Sequence, residues 1–376
     1  MRIHEVEVIK VEVPLARPYV ISRGPTHSFR QVLVLIRGED GTTGVGECAL
    51  FSVVGNWDAV YEALLGFAGV IRGLDSWDIE GILDRMQAGE QPDLAPVAAI
   101  DMALWDLNGK SLEIPVYKLL GSAVNKALPV DYTLGQEAPL EMARRAVQIA
   151  DQAGFTGFCV KVAGKHSSIE LDQARVREVR AALGNDYSIR ADANAGYSAA
   201  EAVEFLRGVQ DCNLEFIEQP VAAGDLEALK RVRAATDTRI SIDEGLQRLA
   251  DAHRHAASGA VDIFNIKIPK CGGFHLSRKI AAVAESAGIP CICGGALSLE
   301  VVRQASRHFA VGVRLGEHKL CQEGPGPASQ ALAGNVTRRV VSYEDVRGWS
   351  GSVRLTDEPG LGVEPDFEQI ARFRVA

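Results

Sequence analysis

At 376 residues the chain is too long for one ordinary core and implies two domains. Hydrophobic residues make up 47% and charged residues 24%, the balance of a soluble globular protein. A formal net charge of −9 and only 6% aromatics argue against a nucleic-acid partner, which favours a basic face and stacking platforms.

The N-terminal stretch Met1 to Pro14 alternates apolar and polar residues and lacks the apolar block of a signal peptide. No apolar run reaches the ~18 residues needed to span a bilayer. A cytoplasmic protein is expected, with no membrane partner. The seven cysteines are odd in number, irregularly spaced and form no CxxC pair, so neither a zinc knuckle nor a disulfide framework is indicated.

The alternation from Ile3 to Val13 predicts a strand, Gln31 to Arg37 a second, and Thr43 to Glu47 a third returning after the turn Glu39-Asp40-Gly41. Helical periodicity follows at Trp57 to Ile71 and Trp77 to Met86, the latter with Asp75 and Ser76 as N-cap candidates. Pro96 to Leu112 is a strongly apolar helix. Residues 1–125 therefore predict an α+β unit.

From about Leu128 short apolar strands alternate with amphipathic helices. The strands expected are Pro129 to Thr133, Gly157 to Ala163, Ser188 to Ala193, Leu214 to Gln219, Arg239 to Asp243, Asp262 to Ile268, Pro290 to Cys293 and Ala310 to Leu315. Helices between them include Ser168 to Leu183, with Ser167 and Glu170 at capping-box spacing, and Ala199 to Val209. Eight such units over residues 126–336 predict a (β/α)8 barrel. Residues 337–376 add no βα unit and are expected to return to the first domain.

Catalytic groups of a barrel sit at the carboxyl ends of its strands. Asp192, Glu218, Asp243 and Lys267 hold that place on the third to sixth strands, at separations of 26, 25 and 24 residues, about one βα unit each. Three carboxylates in one small volume need a cation to stay ionised, and an oxygen-only donor set suits Mg²⁺ or Mn²⁺. The competing reading has each acid capping the helix that follows. Lys161 ends the second strand. It and Lys267 would reach the acids from opposite sides, and a desolvated lysine beside a dication has a lowered pKa and can act as a base. The competing reading is a pair of snorkelling strand-end lysines.

These residues lie in segments that resemble the enolase superfamily, in its muconate-lactonizing-enzyme-like subgroup, along essentially the whole chain. The resemblance rests on Ala99-Ile100-Asp101-Met102-Ala103-Leu104-Trp105-Asp106-Leu107 with Gly109-Lys110, on Asp192-Ala193-Asn194, Glu218-Gln219-Pro220 and Asp243-Glu244, and on Lys267 followed by Lys270-Cys271-Gly272-Gly273. It implies a modified TIM-like barrel with an α+β capping domain built from both ends of the chain, metal ligands at Asp192, Glu218 and Asp243, acid/base lysines at Lys161 and Lys267, and loops near Tyr19 to Arg30 and Phe51 to Trp57 closing over substrate. Dimers or octamers are usual in the family. The mandelate-racemase-like subgroup uses a His–Asp pair instead, and Lys267 disfavours it.

Several positions depart from the family pattern. Cys159 stands where the first lysine of Lys-x-Lys is usual. Cys293-Gly294-Gly295-Ala296-Leu297-Ser298 lacks the glutamate often seen after the seventh strand. Gly316 to Glu323 lacks the Asp-x-Asp with which dipeptide epimerases grip an ammonium group, which argues against dipeptide epimerisation, although Glu323 is a candidate to pair with a cationic nitrogen. Further candidate substrate contacts are Arg23, His27, Arg30, Tyr132, Cys159, Asn194 and Ser298. The expected activity is Mg²⁺-dependent abstraction of a carboxylate α-proton. A racemase or epimerase of an amino-acid-like or N-substituted amino acid leads, followed by a muconate-type cycloisomerase and a β-elimination dehydratase. A non-catalytic binding barrel and a Schiff-base aldolase are the competitors of other classes.

Overall fold

A computed structural model describes residues 1–21, 24–49, 57–121, 127–164, 167–316, 320–322, 332–338 and 351–375. The first domain opens with an antiparallel meander: β1 (Ile3–Ile21), β2 (Gly24–Gly38) and β3 (Thr43–Ala49). The helices α1 (Trp57–Ile71), α2 (Ile79–Arg85), α3 (Ala95–Ser111) and α4 (Val116–Leu120) follow. Asp78, rather than Asp75 or Ser76, caps α2. Asp75 instead binds the N-terminal amine at 2.7 Å, and the buried Ser76 hydroxyl donates to Asn108 Oδ1 at 2.6 Å.

The sheet packs closely on α3. A methyl at Gly44 or Gly46 would come within 2.1 Å of Ala103 O or 1.9 Å of Ala99 O. Glycine on the strand and alanine on the helix therefore set how near the two backbones come. Residues Ala95 to Gly109 are buried all round, which explains the nearly continuous apolar run. Its polar members are fastened. Asp106 accepts from Val45 N at 2.9 Å and Leu361 N at 2.7 Å and pairs with Lys110, whose ammonium also donates to Val363 O at 3.0 Å. The C-terminal region thus lies on the first domain. Its last helix, α12 (Phe367–Phe373), packs on β1, where Val375 N donates to Lys10 O at 3.0 Å.

The remaining chain is a curled parallel sheet wrapped by helices. In sheet order its strands are β5 (Asp131–Leu134), β6 (Gly157–Lys161), β7 (Ser188–Asp192), β8 (Phe216–Glu218), β9 (Arg239–Ile242), β10 (Ile263–Ile266) and β11 (Cys291–Cys293). Between and after them come α5 (Pro139–Ala153), α6 (Ile169–Leu183), α7 (Ala199–Gly208), α8 (Leu226–Ala234), α9 (Leu249–Ser258), α10 (Gly273–Ser286) and α11 (Glu300–Gly312). A small two-stranded sheet, β4 (Ala127–Pro129) with β12 (Ser352–Arg354), lies at one end. Ser168, one residue beyond the expected position, caps α6, while Ser167 donates to Asp172.

The eighth strand is not at Ala310 to Leu315. Ala310 to Gly312 end α11, a helix buried on every side, and the short apolar run Phe309 to Val311 near its end cannot be told from a core strand by periodicity alone. Leu320 to Gln322 take the strand's place. Cys293 N donates to Leu320 O, Gln322 N to Cys293 O and Cys321 N to Pro129 O, joining β11 to the chain that leads into β5.

Two carboxylates of the first domain reach across to cap barrel helices. Glu47 of β3 accepts from Leu299 N at 2.7 Å and Val302 N at 3.1 Å at the start of α11. Asp101 of α3 accepts from Phe274 N at 2.5 Å and His275 N at 3.3 Å at the start of α10. Gly273 sits at φ +93°, and a methyl there would lie 2.3 Å from Asp101 Oδ1. That contact accounts for the second glycine of the pair Gly272-Gly273. Asp101→Ala orphans two N–H donors, a buried one at Phe274 and a part-buried one at His275, and is expected to cost about 1–3 kcal/mol in a urea titration. Burial lifts the Asp101 carboxyl to about 7, the backbone donors acting against it. Its folded value exceeds the ordinary 3.8, so its stabilising contribution is complete below that value and is lost as pH rises through 7. Asp101→Asn is expected to flatten that decline.

Candidate active site

Five side chains expected at strand ends stand side by side at the carboxyl end of the sheet. Lys161 is the register partner of Asp192, and Asp192 that of Glu218. Asp243 and Lys267 directly follow β9 and β10. Strand side chains alternate, so these residues, each at or directly after a strand end, can face one another across the sheet's carboxyl end, as their ion pairs do. Glu218 is 1% exposed, Asp192 and Asp243 2%, and Lys267 9%. In strand order the two lysines bracket the three acids, with β7, β8 and β9 between them.

The ammonium groups divide the acids. Lys161 Nζ binds Asp192 Oδ2 and, at 3.1 Å, Asn194 Oδ1. Lys267 Nζ binds Asp243 Oδ2 at 2.7 Å and lies 4.0 Å from Glu218 Oε1. As the side chains are placed, no group of three or more His, Cys, Asp or Glu among the described residues is poised to hold an ion, because the outer acids turn to the lysines. Burial and then the charges of Asp192 and Asp243 push the Glu218 carboxyl up to about 8. Burial and then Asp243 and Asp192 raise Glu244 to about 7. Burial of Asp243 is outweighed by Lys267 and Lys270, which hold its carboxyl below the usual range. Burial likewise opposes the charge of Lys267, but Asp243, Glu218, Glu244 and Asp192 outweigh it and raise its pKa. Where only carboxylates face the amine, the direction is opposite to the depression expected beside a dication.

Several residues that hold this arrangement were not singled out individually by sequence reasoning. Lys270, 8% exposed, donates to Asp243 Oδ1 at 2.7 Å and to Asn265 O at 3.2 Å, fixing the third acid from behind. A second lysine within a buried segment was its available signal. Gln219 is fully buried at φ +36°. Its Oε1 accepts from Asp243 N and Gly245 N, each at 3.0 Å, and so ties the end of β8 to that of β9. Gln322 Nε2 donates to Glu218 Oε2 at 3.3 Å. Left-handed backbone at Ala163, Asn194, Ala195 and Gln219 clusters one to three residues beyond Lys161, Asp192 and Glu218. Such strain persists where surrounding structure over-determines it, and it concentrates at functional sites.

The other candidate contacts scatter. Asn194 belongs to the cluster, donating from Nδ2 to Asp192 at 3.1 Å and Glu244 at 3.2 Å. Cys159 is buried on the strand face of Lys161, where burial holds its thiol well above the ordinary range and therefore uncharged. Tyr132 does not reach the mouth. It is 1% exposed and meets the Phe155 ring edge-on, with centroids 5.6 Å apart. Its neighbour Asp131 takes the inward direction and pairs with Arg190 at 2.8 Å. Ser298 is also buried, donating to Ala296 O at 3.4 Å, in a segment that Gln31 Nε2 of β2 ties to the first domain through Leu297 O. His27 is exposed on β2, and Arg30 pairs with Glu12 and lies 5.5 Å over the Trp57 ring. Arg23, Glu323 and the expected loop segment 51–56 fall outside the described residues.

Residues 3–121 match the family model of the mandelate racemase/muconate lactonizing enzyme N-terminal domain, and residues 141–370 match that of the enolase C-terminal domain-like fold. The chain belongs to the mandelate racemase/muconate lactonizing enzyme family of the enolase superfamily. Within it the chain groups with muconate-lactonizing-like members, and its relatives include racemases, epimerases and cycloisomerases, which are isomerases. It is 32% identical to an N-succinyl-L-Arg/Lys racemase of Bacillus cereus, covering 100% of this chain and 98% of that one. It is 30% identical to muconate cycloisomerase 1 of Rhodococcus opacus over 98% of both chains. A dipeptide epimerase of Enterococcus faecalis, solved with Mg and L-Leu-L-Tyr, superposes with a TM-score of 0.88 at 32% identity, covering 97% of this chain and 100% of that one. No helix among the described residues is long and apolar enough to cross a membrane.

Proposed function

We propose that this family member racemises or epimerises an amino-acid derivative acylated on nitrogen, an N-succinyl amino acid ahead of a dipeptide, by moving the proton α to its carboxylate. The observation that carries this reading is the pair of lysines, the part-buried Lys161 and the buried Lys267, on opposite flanks of three strand-end carboxylates. Asp192, Glu218 and Asp243 would hold Mg²⁺, with Mn²⁺ as the alternative. A hard cation suits their oxygen-only donors, and burial beside the charges of Asp192 and Asp243, which pushes the Glu218 carboxyl up, is consistent with acids that a cation would relieve. When bound, the ion supplies positive charge where negative charge builds on the substrate carboxylate.

The protein's own groups move the proton. One lysine, deprotonated, takes it from one face of the α-carbon, and the other, as ammonium, returns one to the opposite face. Their roles exchange for the other enantiomer, so neither face needs a second site. Burial of Lys267 keeps solvent protons from competing on its side, and Lys161 is part-buried. Lys270 and Gln219 hold Asp243, Gln322 holds Glu218, and Asn194 holds Asp192, so the acids keep their spacing while the lysines release them. The similarity to N-succinyl-Arg/Lys racemase over the full chain favours the acylated substrate. The lack of Asp-x-Asp between Gly316 and Glu323 places dipeptides second. A homo-oligomer, dimer or octamer, in the cytoplasm completes the proposal, and sedimentation distinguishes the two assemblies.

In D₂O with Mg²⁺, N-succinyl-L-arginine and its D-enantiomer are both expected to take up deuterium at the α-carbon, read by proton NMR. Failure of N-succinyl-arginine, N-succinyl-lysine and L-Ala-L-Glu alike to exchange overturns the reading. The second reading, cycloisomerisation, is favoured by the full-length similarity to muconate cycloisomerase, and loss of cis,cis-muconate absorbance would report it.

A further inference from the structure

After β11 the chain runs through Gly294-Gly295 beside Lys267. Gly294 is not among the residues with positive φ, so its backbone does not require glycine. Its space does. A methyl there would lie 2.7 Å from both Cγ and Cε of Lys267 and 2.1 Å from Asn265 Oδ1. The strand itself is pinned, since Gly294 N donates to Ile266 O at 2.9 Å and the next residue, Gly295 N, to Gln322 Oε1 at 3.3 Å. The Lys267 stem therefore lies flat across the bare Cα of Gly294, and from there its ammonium reaches Asp243 Oδ2 at 2.7 Å.

We infer that Gly294 is a positioning residue for Lys267, its missing side chain fixing where that amine meets substrate. The inference rests on the two-lysine reading above. A methyl at Gly294 meets bonded strand on its own side and a lysine stem and an amide on the other. The amide can give way, because Asn265 Oδ1 is buried without a hydrogen-bond partner among the described residues and its Nδ2 makes a long bond to Gln322 Oε1 at 3.4 Å. The stem is what moves, and displacing a reacting group by about 1 Å costs about 10²-fold in rate. Lys161, on β6 beyond the three acids from Lys267, is not among the atoms that a methyl at Gly294 would crowd. The damage therefore falls on one face of the substrate only, which a general loosening of the barrel would not produce.

The test is Gly294→Ala beside Lys267→Ala, following α-deuterium uptake by N-succinyl-L- and D-arginine with Mg²⁺. Exchange of the enantiomer that Lys267→Ala silences is expected to fall about 10²-fold in Gly294→Ala, the other staying within about threefold. Equal loss from both enantiomers, or no loss, overturns the inference. If Lys267→Ala itself silences neither enantiomer, the two-lysine reading fails instead. A second measurement needs no turnover. In a thermal-melt cycle with the Gly294→Ala/Lys267→Ala pair, the methyl should lower the melting temperature less once the stem is gone. If Gly294→Ala alone does not fold, a Gly294→Ala/Lys267→Ala pair that does fold is the expected result, and a pair that also fails to fold overturns the inference. An equal penalty with and without Lys267 overturns the inference.

Discussion

Lys161→Ala and Lys267→Ala are each expected to keep α-proton exchange from one enantiomer of N-succinyl-arginine and to lose it from the other, while net racemisation falls about 10²–10⁴-fold in both. The split follows from placement. Lys161 sits on the Asp192 side of the acids and Lys267 on the Asp243 side, so a planar intermediate between them meets one amine on each face. A variant lacking one amine still abstracts from the other face, and its product returns to the starting enantiomer carrying deuterium. Proton NMR of each enantiomer in D₂O resolves this. Loss of both enantiomers in both variants would mean that the lysines act together on one face, as in a lyase, and would end the two-face proposal.

Glu218→Gln is expected to separate stability from function. Glu218 is 1% exposed between two further acids, and its carboxyl is pushed up to about 8, so its charge is resisted where it stands. Replacing it with a neutral side chain of the same shape should leave the ion-free melting temperature unchanged or higher. Its cost should appear with Mg²⁺. A ligand at a hundredfold excess over Kd stabilises the native state by about 2.7 kcal/mol. That gain should be present in the parent protein and absent from the variant, with exchange reduced about 10²-fold or more. An equal Mg²⁺-dependent rise in both would place the ion elsewhere.

The candidate site was legible because a barrel turns a linear pattern into a ring. Each βα unit returns the chain to the same level, so polar residues at the ends of apolar strands, one unit apart, must converge. That argument located Lys161, Asp192, Glu218, Asp243 and Lys267. It failed where local pattern is ambiguous. Ala310 to Gly312 have a core strand's composition but end the fully buried α11, and the ring continues instead through Leu320 to Gln322. Tyr132 lies on an expected strand, but alternation sends it away from the mouth because its neighbour Asp131 pairs inward with Arg190.

By itself, then, the sequence determined the strand–helix alternation and the polar residues at five strand ends, because hydrophobic period and spacing are local properties of the chain. Only the tertiary structure decided which groups support them. Asp101 meets the start of α10 across 173 residues, Glu47 the start of α11 across 252, and Gly294 is bare because a lysine from the neighbouring strand lies on it. No periodicity encodes such meetings. They arise when packed elements bring distant backbone donors and side chains within a few ångströms, where a single methyl or an unpaired donor is enough to matter.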